Sequence, residues 1–492
     1  MCSDMFQYMP ENGPVGERAE TTNRAIGRTT SRRGFLATAG AVGVAGLAGC
    51  SGGSNSPTET QGGSGSTEQS GTTAGTSGAQ DVTVSFWHIF GGELGQTLGD
   101  MAAEFSQQND GITIEAVNNG GYRQNLNQSL QASRAGDPPG IVQIFEVGTR
   151  LALDSGSFTP VEEILPEEQI DFDDFLPSVL NYYRMDGTLN SMPFNSSNTI
   201  MLYNKSAFEE AGLDPEQPPT TFEEVRQYSQ QIVDEGVADS GISWPNVNWW
   251  PMSWMAEQGQ VYFNERNGME GEPTETYFDS EAARTLYDWW MNDLGDLYHY
   301  PGKNDWGASE KAFSQGQASM HMNSSGGLAY LLGGFREQGI EIGVGRLPTP
   351  NEEHNGHAAG GAQVWVTKKD SRTDAEREAI RKFLRNMTGA EQQALYSKST
   401  GYFPAHSGSV DVLEEQGFFE ENPLYRTSFD QLEAWTPGPA TGGVFSGTLP
   451  RTATAVVDET DNMWQGKSVD DALSDLDSTA EEQLQFYERR DL

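Results

Sequence analysis

The fold is decided by residues 81–146, DVTVSFWHIFGGELGQTLGDMAAEFSQQNDGITIEAVNNGGYRQNLNQSLQASRAGDPPGIVQIFE. Val82, Val84 and Phe86 alternate with polar residues, which predicts a half-buried strand, and apolar residues then recur at helical spacing. The predicted elements are strands over 82–86, 112–116 and 141–145 and helices over 93–107 and 122–135. This β-α-β-α-β order predicts an α/β fold with a mainly parallel sheet covered by helices.

Polar residues and glycines follow two of these strands directly. In open α/β sheets, ligands bind beyond the carboxyl ends of the strands. His88, Glu146 and the loop Gly91-Gly92 fall at such ends. We therefore expect this edge of the sheet to face a ligand.

The remaining chain alternates in the same way but is richer in helix. Its length is too great for one core and suits two domains. Clear downstream predictions are a helix that begins after a capping Thr221, a strand over 363–367, and helices over 374–387 and 469–489.

The N-terminal segment carries the pattern of an export signal. Arg32-Arg33 precedes an apolar stretch over 35–47, which is shorter than the roughly 20 residues of a spanning helix. The arginine pair is typical of the twin-arginine route, and Leu47-Ala48-Gly49-Cys50 resembles the lipobox of bacterial and archaeal lipoproteins. We predict a signal peptide over 1–49 and a lipidated Cys50; the competing interpretation is a buried apolar helix that ends in a cysteine.

Residues 50–80 are predicted to form a lipidated, flexible tether. After Cys50 the segment consists almost entirely of Ser, Gly, Thr, Gln and Ala, a composition typical of linkers. The other cysteine, Cys2, lies in the predicted signal peptide, so no cysteine remains for a disulfide or a thiolate metal site.

The charge balance is strongly acidic, with 71 Asp and Glu against 30 Lys and Arg and a formal net charge of -41. Nucleic acid is excluded as a partner, because its binding requires a basic surface. The acidic residues are spread along the whole chain and lysines are few, which resembles the proteins of extreme halophiles. Disorder is the competing explanation, but 11 Trp, 16 Tyr and 23 Phe favour a filled core.

Catalytic and metal-binding signatures are missing from the sequence. It contains no His-Glu-x-x-His, no Gly-x-Ser-x-Gly and no complete phosphate loop. His354 and His357 lie in a segment with Gly and Asn, which favours a solvated loop over a metal site. We predict a protein that is not an enzyme and that holds neither a metal nor a cofactor.

Four tryptophans lie within eleven residues, at 244, 249, 250 and 254. They fit neither a helical nor a strand period. An irregular aromatic segment of this kind favours a cleft that stacks on the C–H faces of a polyol or sugar. Burial in a core is the alternative.

Short stretches spread over residues 84–488 resemble one family, the extracytoplasmic solute-binding proteins of carbohydrate-uptake ABC importers, and most strongly its glycerol-3-phosphate-binding branch. These stretches are Phe86-Trp87-His88, Gly92-Glu93-Leu94-Gly95, Gly121-Tyr122-Arg123-Gln124-Asn125-Leu126, Gln143-Ile144-Phe145-Glu146-Val147-Gly148-Thr149, Pro193-Phe194-Asn195-Ser196-Ser197, Tyr203-Asn204-Lys205, Ala211-Gly212-Leu213-Asp214-Pro215 and Thr400-Gly401-Tyr402-Phe403-Pro404.

The resemblance implies two α/β lobes that are joined by a hinge of several chain crossings, with the ligand between them. Carried onto this sequence, one lobe spans 81–194 plus 327–370 and the other spans 195–326 plus 371–492.

The resemblance also implies roles for individual residues. Tyr122 and Glu146 would bind glycerol hydroxyls, and Trp244, with Trp249 as the second choice, would stack on the glycerol carbons. The residues facing the phosphate would be Ser197, Ser324, Gly361 and Tyr402.

One position departs from the family pattern. The phosphate-binding arginine of the family aligns with Ala453, whereas Arg451 lies two residues earlier. An arginine makes the bidentate contact that best distinguishes a phosphate from a neutral oxygen. Either Arg451 takes this role or the ligand is less anionic.

Together these features predict a lipid-anchored, extracytoplasmic and monomeric substrate-binding protein. Its partners would be a small-molecule ligand, the transmembrane permease subunits of an ABC importer, and the membrane through the anchor. Its ligand would be glycerol 3-phosphate or a glycerophosphodiester. The alternatives are a neutral sugar or oligosaccharide in the same class of protein, and an anchored hydrolase of glycans or phosphodiesters.

Overall fold

The computed structural model of the protein describes residues 81–166, 170–185 and 187–489. The predicted signal peptide and tether, including Cys50, lie outside the described residues. The strands are β1 (Val82–His88), β2 (Ile112–Asn118), β3 (Ile141–Phe145), β4 (Phe158–Thr159), β5 (Arg184–Met185), β6 (Thr188–Leu189), β7 (Met192–Ser197), β8 (Thr199–Asn204), β9 (Ser240–Ser243), β10 (Tyr298–His299), β11 (Ala318–Ser324), β12 (Ile342–Arg346) and β13 (Gly360–Thr367).

The helices are α1 (Gly92–Gln108), α2 (Tyr122–Ala135), α3 (Thr149–Asp154), α4 (Val161–Ile164), α5 (Pro177–Leu180), α6 (Lys205–Glu210), α7 (Phe222–Asp234), α8 (Trp249–Glu257), α9 (Glu281–Asp288), α10 (Trp306–Ser314), α11 (Leu328–Glu337), α12 (Asp374–Met387), α13 (Ala390–Thr400), α14 (Gly408–Glu415), α15 (Phe418–Glu421), α16 (Arg426–Glu433), α17 (Leu449–Trp464) and α18 (Val469–Glu488). In the described part of the chain, no helix combines the length and the apolar composition needed to cross a membrane.

The first sheet has the strand order β2-β1-β3-β13-β4, and β7 also pairs with β13. Strands β2, β1 and β3 are parallel, as the β-α-β-α-β pattern predicts. Strand β13 joins β3 antiparallel, which the local sequence does not indicate. The predicted strands and helices of residues 82–145 are confirmed to within two residues at each end.

The second sheet has the strand order β10-β9-β11-β8-β12. Its helix α7 begins at the predicted cap: Thr221 Oγ1 accepts from the Glu224 N–H at 3.2 Å, and Glu224 Oε2 accepts from the Thr221 N–H at 3.1 Å. This reciprocal pair satisfies two backbone donors that the first helical turn would leave open.

Each sheet has its own apolar core, so the chain folds into two lobes. Phe86 and Phe383 lie in the core of the first sheet, whereas Trp254 and Leu473 lie in the core of the second. The chain passes from the first sheet to the second at Asn198 and returns over residues 347–359. It leaves the core of the first sheet a third time before Leu449, which lies in the core of the second sheet.

The lobe boundaries differ from those implied by the resemblance. Strand β12, in the stretch 327–370, pairs with β8 of the second sheet. Helix α12, in the stretch 371–492, packs beneath the first sheet, where the Phe383 ring lies 5.9 Å from that of Phe86. The apolar stripe of α12 is buried in the core of the first lobe, where Phe383 and Leu384 lie.

Candidate functional site

The site lies where the carboxyl end of β3, the crossing from β7 to β8 and the start of β13 meet. Glu146 directly follows β3. In the pairing of β13 with β7, Gly361 stands opposite Ser196 and Gly360 opposite Ser197. Residues that are more than 160 positions apart in the sequence therefore share one edge between the lobes.

Glu146 is surrounded by tyrosines, and we call Tyr122, Tyr182, Tyr183 and Tyr402 the tyrosine cluster. Burial raises the pKa of Glu146 to about 8, and the backbone N–H groups of Glu146 and Gly361 partly oppose this shift. Burial also raises the pKa of all four tyrosines, to which the nearby Glu146 charge contributes. The site thus brings one carboxyl group close enough to four tyrosines for its charge to act on their hydroxyls.

Tyr122 is the first residue of α2 and lies on the wall of this site. Its ring stacks on Phe145 with 5.2 Å between ring centres and 22° between planes. Burial and the charges of Tyr402 and Glu146 raise its pKa well above the ordinary value, while the Asn195 side chain opposes that shift. The hydroxyl therefore stays protonated and remains available as a donor at any physiological pH.

Tyr402 packs on a glycine. A Cβ atom on Gly326 would meet the Tyr402 Cε1 atom at 2.4 Å. Burial raises the Tyr402 pKa to about 12, and the side chains of Asn195 and Tyr122 lower it. Tyr122, Asn195 and Tyr402 therefore approach one another at the centre of the site.

The two predicted serines lie on either side of the first crossing, since Ser197 precedes it and Ser324 pairs with Thr199 just after it. Ser197 is the last residue of β7 and is buried. Ser324 is the last residue of β11, and its Oγ accepts from the Gly326 N–H at 3.1 Å. Through Gly326, Ser324 is held beside the Tyr402 ring.

Gly361 is required by its backbone conformation. Its φ is +111°, and a Cβ atom there would lie 1.9 Å from the carbonyl oxygen of Asn195. Only glycine adopts this conformation at such a close approach. The Gly361 N–H lies near the Glu146 carboxyl group, whose pKa it lowers.

The tryptophan segment corrects the prediction. Trp244 is 0% exposed and packs against aromatic rings of its own lobe, including Trp254 at 5.4 Å and Tyr298 at 4.3 Å. Trp250 and Trp254 are also fully buried. Three of the four tryptophans therefore fill the core of the second lobe. Trp244 cannot stack on a ligand without unpacking that core.

Trp249 is the exception in this segment. It is the first residue of α8 and is partly exposed. A Cβ atom on Gly360 would lie 2.6 Å from its Cζ2 atom, so the indole rests against the start of β13. Trp249 therefore reaches the edge that carries Gly361 and Ser197, and it replaces Trp244 as the candidate stacking residue.

Comparison with known families agrees with this geometry. The family model of the bacterial extracellular solute-binding proteins matches residues 100–427. The chain belongs to this family. It is therefore a substrate-binding protein of an ABC importer, with the two-lobe fold that the sequence predicts.

Curated relatives of this solute-binding protein share about a third of its residues. The sn-glycerol-3-phosphate-binding periplasmic protein UgpB of Shigella flexneri serotype 5b (strain 8401) is 33% identical over 419 residues, which cover 83% of this chain and 93% of that protein. The protein of the same name from Escherichia coli (strain K12) is 32% identical over 419 residues, with the same shares of the two chains.

Solved structures share the fold at lower identity. UgpB from Mycobacterium tuberculosis in complex with glycerophosphocholine matches with a TM-score of 0.69 and 20% identity, over 83% of this chain and 100% of that one. The cyclic alpha-maltosyl-1,6-maltose binding protein from Arthrobacter globiformis matches with a TM-score of 0.68 and 22% identity, over 82% of this chain and 99% of that one.

Arg451 of this solute-binding protein is the sequence candidate for the arginine that faces a phosphate. It lies in the first turn of α17, with its guanidinium carbon 5.8 Å from the centre of the Phe486 ring. A second arginine approaches the same turn from the first lobe: Arg123 Nη2 donates to the Pro450 carbonyl oxygen at 3.1 Å. Burial lowers the Arg123 pKa, in keeping with its position between the lobes.

The segment with the two histidines is not solvated, contrary to the sequence prediction. His357 is buried, and its Nε2 lies 3.1 Å from Thr199 Oγ1. His354 Nδ1 lies 2.9 Å from the buried Glu257 carboxylate. This segment is the second crossing between the lobes, and burial there explains its polar pairing; no group of metal-binding side chains occurs among the residues that the structure describes.

The residue types missed by the sequence prediction are chiefly amides and tyrosines. Asn195 lies between Tyr122 and Tyr402, and Gln143 of β3 contacts it. Tyr182 and Tyr183 complete the tyrosine cluster. One signal was present in the sequence, since Gln143 interrupts the otherwise apolar run Ile141-Val142-Gln143-Ile144-Phe145.

Proposed function

We propose that this solute-binding protein captures sn-glycerol 3-phosphate or a glycerophosphodiester between its lobes. The observation that carries the proposal is the Glu146 carboxyl group inside the tyrosine cluster. An ionised carboxylate accepts two O–H donors, which matches the adjacent hydroxyls of a glycerol unit. The identity of 32–33% to proteins named for sn-glycerol 3-phosphate supports the same ligand.

Capture would proceed by closure of the two lobes on the ligand. Glu146 and Gly361 belong to the first sheet, whereas Ser324 and Trp249 belong to the second lobe. A ligand that contacts both sets binds the closed form more tightly than the open form and so shifts the population toward it. No covalent step is required.

We further propose that the protein is exported by the twin-arginine route and is anchored through a lipidated Cys50. Arg32-Arg33 and the lipobox-like Leu47-Ala48-Gly49-Cys50 support this proposal. A cysteine-free folded part and a net charge of -41 suit a protein that folds in a salty cytoplasm before export. The flexible tether would keep a monomeric receptor within reach of its permease.

A neutral sugar is the second candidate ligand. The guanidinium group of Arg451 lies over Phe486, and the negative charge of Glu146, when this group is ionised, repels a nearby phosphate. Structural neighbours include proteins named for maltose derivatives and for sugar binding. This alternative keeps the class of protein and changes only the chemistry of the ligand.

Calorimetric titration distinguishes these two ligand classes. We expect sn-glycerol 3-phosphate and glycerophosphocholine to bind with one site per chain in multimolar salt, and maltose to give no heat. A protein that binds maltose but neither phosphate ligand would overturn the proposed ligand. Turnover of glycerophosphocholine during the titration would instead support the hydrolase alternative.

Substitution of Arg451 tests which arginine side chain binds the phosphate. If Arg451 turns from Phe486 toward a bound phosphate, Arg451→Ala weakens glycerol 3-phosphate binding by at least about tenfold, the effect of losing one hydrogen bond to a charged group. The matched variant is Arg123→Ala, which removes the other arginine near the first turn of α17. Unchanged affinity in Arg451→Ala together with a loss in Arg123→Ala would transfer the role to Arg123.

Substitution of Trp249 tests the stacking surface. We expect Trp249→Ala to weaken ligand binding by about tenfold and to lower the melting temperature less than loss of a fully buried tryptophan would, because the partly exposed ring packs only at the edge of the second core. Trp244→Phe is the matched control, and it should lower the melting temperature while the folded protein keeps its affinity. The reverse pattern in the two variants would return the stacking role to Trp244.

A further inference from the structure

A chain of buried side-chain amides leads from the backbone of β1 to the centre of the site. The N–H of Ile89, just after β1, donates to Gln143 Oε1 at 3.0 Å. Gln143 Nε2 in turn donates to Asn195 Oδ1 at 2.7 Å. Gln143 and Asn195 are both 0% exposed, and we call these two side chains the amide relay.

The first member of the amide relay fixes its direction. A backbone N–H can only donate, so the atom of Gln143 that faces Ile89 must be the carbonyl oxygen. Gln143 must then present its NH₂ group to Asn195, and Asn195 must meet it with its oxygen. Neither amide can turn over without placing two donors or two acceptors face to face.

The last member of the amide relay is a donor that faces the Tyr122 and Tyr402 hydroxyls without a close hydrogen bond to either. Asn195 Nδ2 is buried and has no hydrogen-bond partner among the described residues. The same side chain lies close enough to the Tyr122 and Tyr402 hydroxyls to influence their titration. A buried donor that stays unpaired destabilises the protein, so the site gains when a ligand supplies an acceptor there.

We infer that the amide relay makes Asn195 a specificity-determining donor, which requires an acceptor oxygen of the ligand beside Tyr122 and Tyr402. A phosphoryl or hydroxyl oxygen meets this requirement, whereas an ammonium group, which only donates, is rejected at that position. Gln143 is the positioning residue, because it acts on the ligand only through Asn195. The inference rests on the proposed function only in taking this cleft as the ligand site.

Two substitutions of Gln143 distinguish its control of the Asn195 amide orientation from its contribution to packing. In Gln143→Glu, an ionised carboxylate accepts from both Ile89 and Asn195, so the Asn195 amide turns over and presents its oxygen to the ligand. In Gln143→Met, nothing holds the Asn195 amide, and the ligand can select the donor orientation. The matched control is Gln363→Glu, a buried Gln of neighbouring β13 that donates to Thr149 Oγ1 at 2.7 Å and is not part of the amide relay.

The measurement is calorimetric affinity of the full chain for sn-glycerol 3-phosphate and for maltose, with melting temperatures recorded for every variant. At about pH 9 we expect Gln143→Glu to lose more than about tenfold in affinity, and Gln143→Met to lose clearly less. At about pH 5.5 the new carboxyl group of Gln143→Glu, once protonated, can donate to Asn195 Oδ1 again, so the ratio of wild-type to Gln143→Glu affinity should fall several-fold. Gln363→Glu should show no such pH-dependent ratio.

Equal affinity losses in the Glu and Met variants, or a ratio that does not change with pH, would overturn the inference and leave Gln143 as a packing residue. The proposed function fails separately. If the wild-type protein binds maltose and not sn-glycerol 3-phosphate, the ligand proposal is wrong, and the order of the same variants with maltose still tests the amide relay.

Discussion

Glu146→Gln is expected to lower the affinity for sn-glycerol 3-phosphate by about two orders of magnitude, because it exchanges two charge-assisted hydrogen bonds for neutral ones. The amide has nearly the same shape as the carboxyl group and still fits the tyrosine cluster. Calorimetric titration at about pH 9, where the wild-type carboxyl group is ionised, gives the largest difference.

The pH dependence of binding gives a second readout for Glu146. Burial raises its pKa to about 8 in the ligand-free protein, so below that pH a ligand that needs the carboxylate must displace a proton. Wild-type affinity should therefore rise as the pH increases toward 8 and level off above it. Titrations in buffers of different ionisation enthalpy should detect the released proton, and Glu146→Gln should release none.

The stability of the ligand-free protein should show the opposite trend with pH. The folded pKa of Glu146 lies above the ordinary carboxyl value, so its contribution to the free energy of unfolding is complete below about pH 4 and is lost as the pH rises through about 8. Glu146→Gln stays neutral throughout. We expect it to exceed the wild type in stability by on the order of 3 kcal/mol at about pH 9 and to match it in acid.

Glu272→Gln is the matched control for these measurements. Burial raises the Glu272 pKa as well, but this carboxylate pairs with Arg150 at 2.9 Å and does not belong to the tyrosine cluster. The affinity of the Glu272→Gln variant for the ligand should stay within about threefold of the wild-type affinity, the range expected for a residue away from the site. Wild-type affinity in Glu146→Gln would remove Glu146 from the ligand site.

Local patterns in the sequence predicted the first lobe well, since its signals depend on neighbouring residues. The alternation of Val82, Val84 and Phe86 with polar residues predicts β1 independently of the tertiary structure. The Thr221 cap likewise sets the start of α7 through a contact three residues away. Such elements need no knowledge of the tertiary fold.

Lobe membership could not be predicted in the same way. The apolar stripe of α12 indicates that one face is buried, but nothing in its period says which sheet covers it. The antiparallel entry of β13 between β3 and β4 depends on pairing over more than 200 residues. The boundary between lobes therefore had to come from the structure.

The same distinction between local signals and tertiary contacts applies to the residues that face the ligand. Trp244 and Trp249 are equivalent in sequence pattern, and they differ only because rings as distant as Tyr298 enclose Trp244. Asn195 becomes important only because β3 brings Gln143 to it. A buried Gln within an apolar strand is the one local signal that such a partner exists, since a buried polar group needs a hydrogen bond.

Gly361→Ala is expected to be the most damaging single substitution at the site, because it combines two separate costs. Its φ of +111° is strained for alanine, and the new Cβ would lie 1.9 Å from the Asn195 carbonyl oxygen. The clash is with backbone, so β13 and β7 must separate where Gly361 stands opposite Ser196. We expect a loss of about 3 kcal/mol or more in the free energy of unfolding, measured by denaturant titration.

Two other glycines separate the two costs. Gly339→Ala introduces only the backbone strain, since its φ is +78° and no atom lies within 4 Å of the new Cβ. We expect it to lower the free energy of unfolding by about 1 kcal/mol. Gly360→Ala introduces only a close contact, because the new Cβ would lie 2.6 Å from the Trp249 ring, which can move. This substitution should lower ligand affinity, through the stacking ring, more than it lowers the free energy of unfolding. If Gly361→Ala were no less stable than Gly339→Ala, the close packing of β13 on Asn195 would be wrong. With that packing intact, the same substitution must also lower ligand affinity, because it displaces both the Gly361 N–H beside Glu146 and the Asn195 amide.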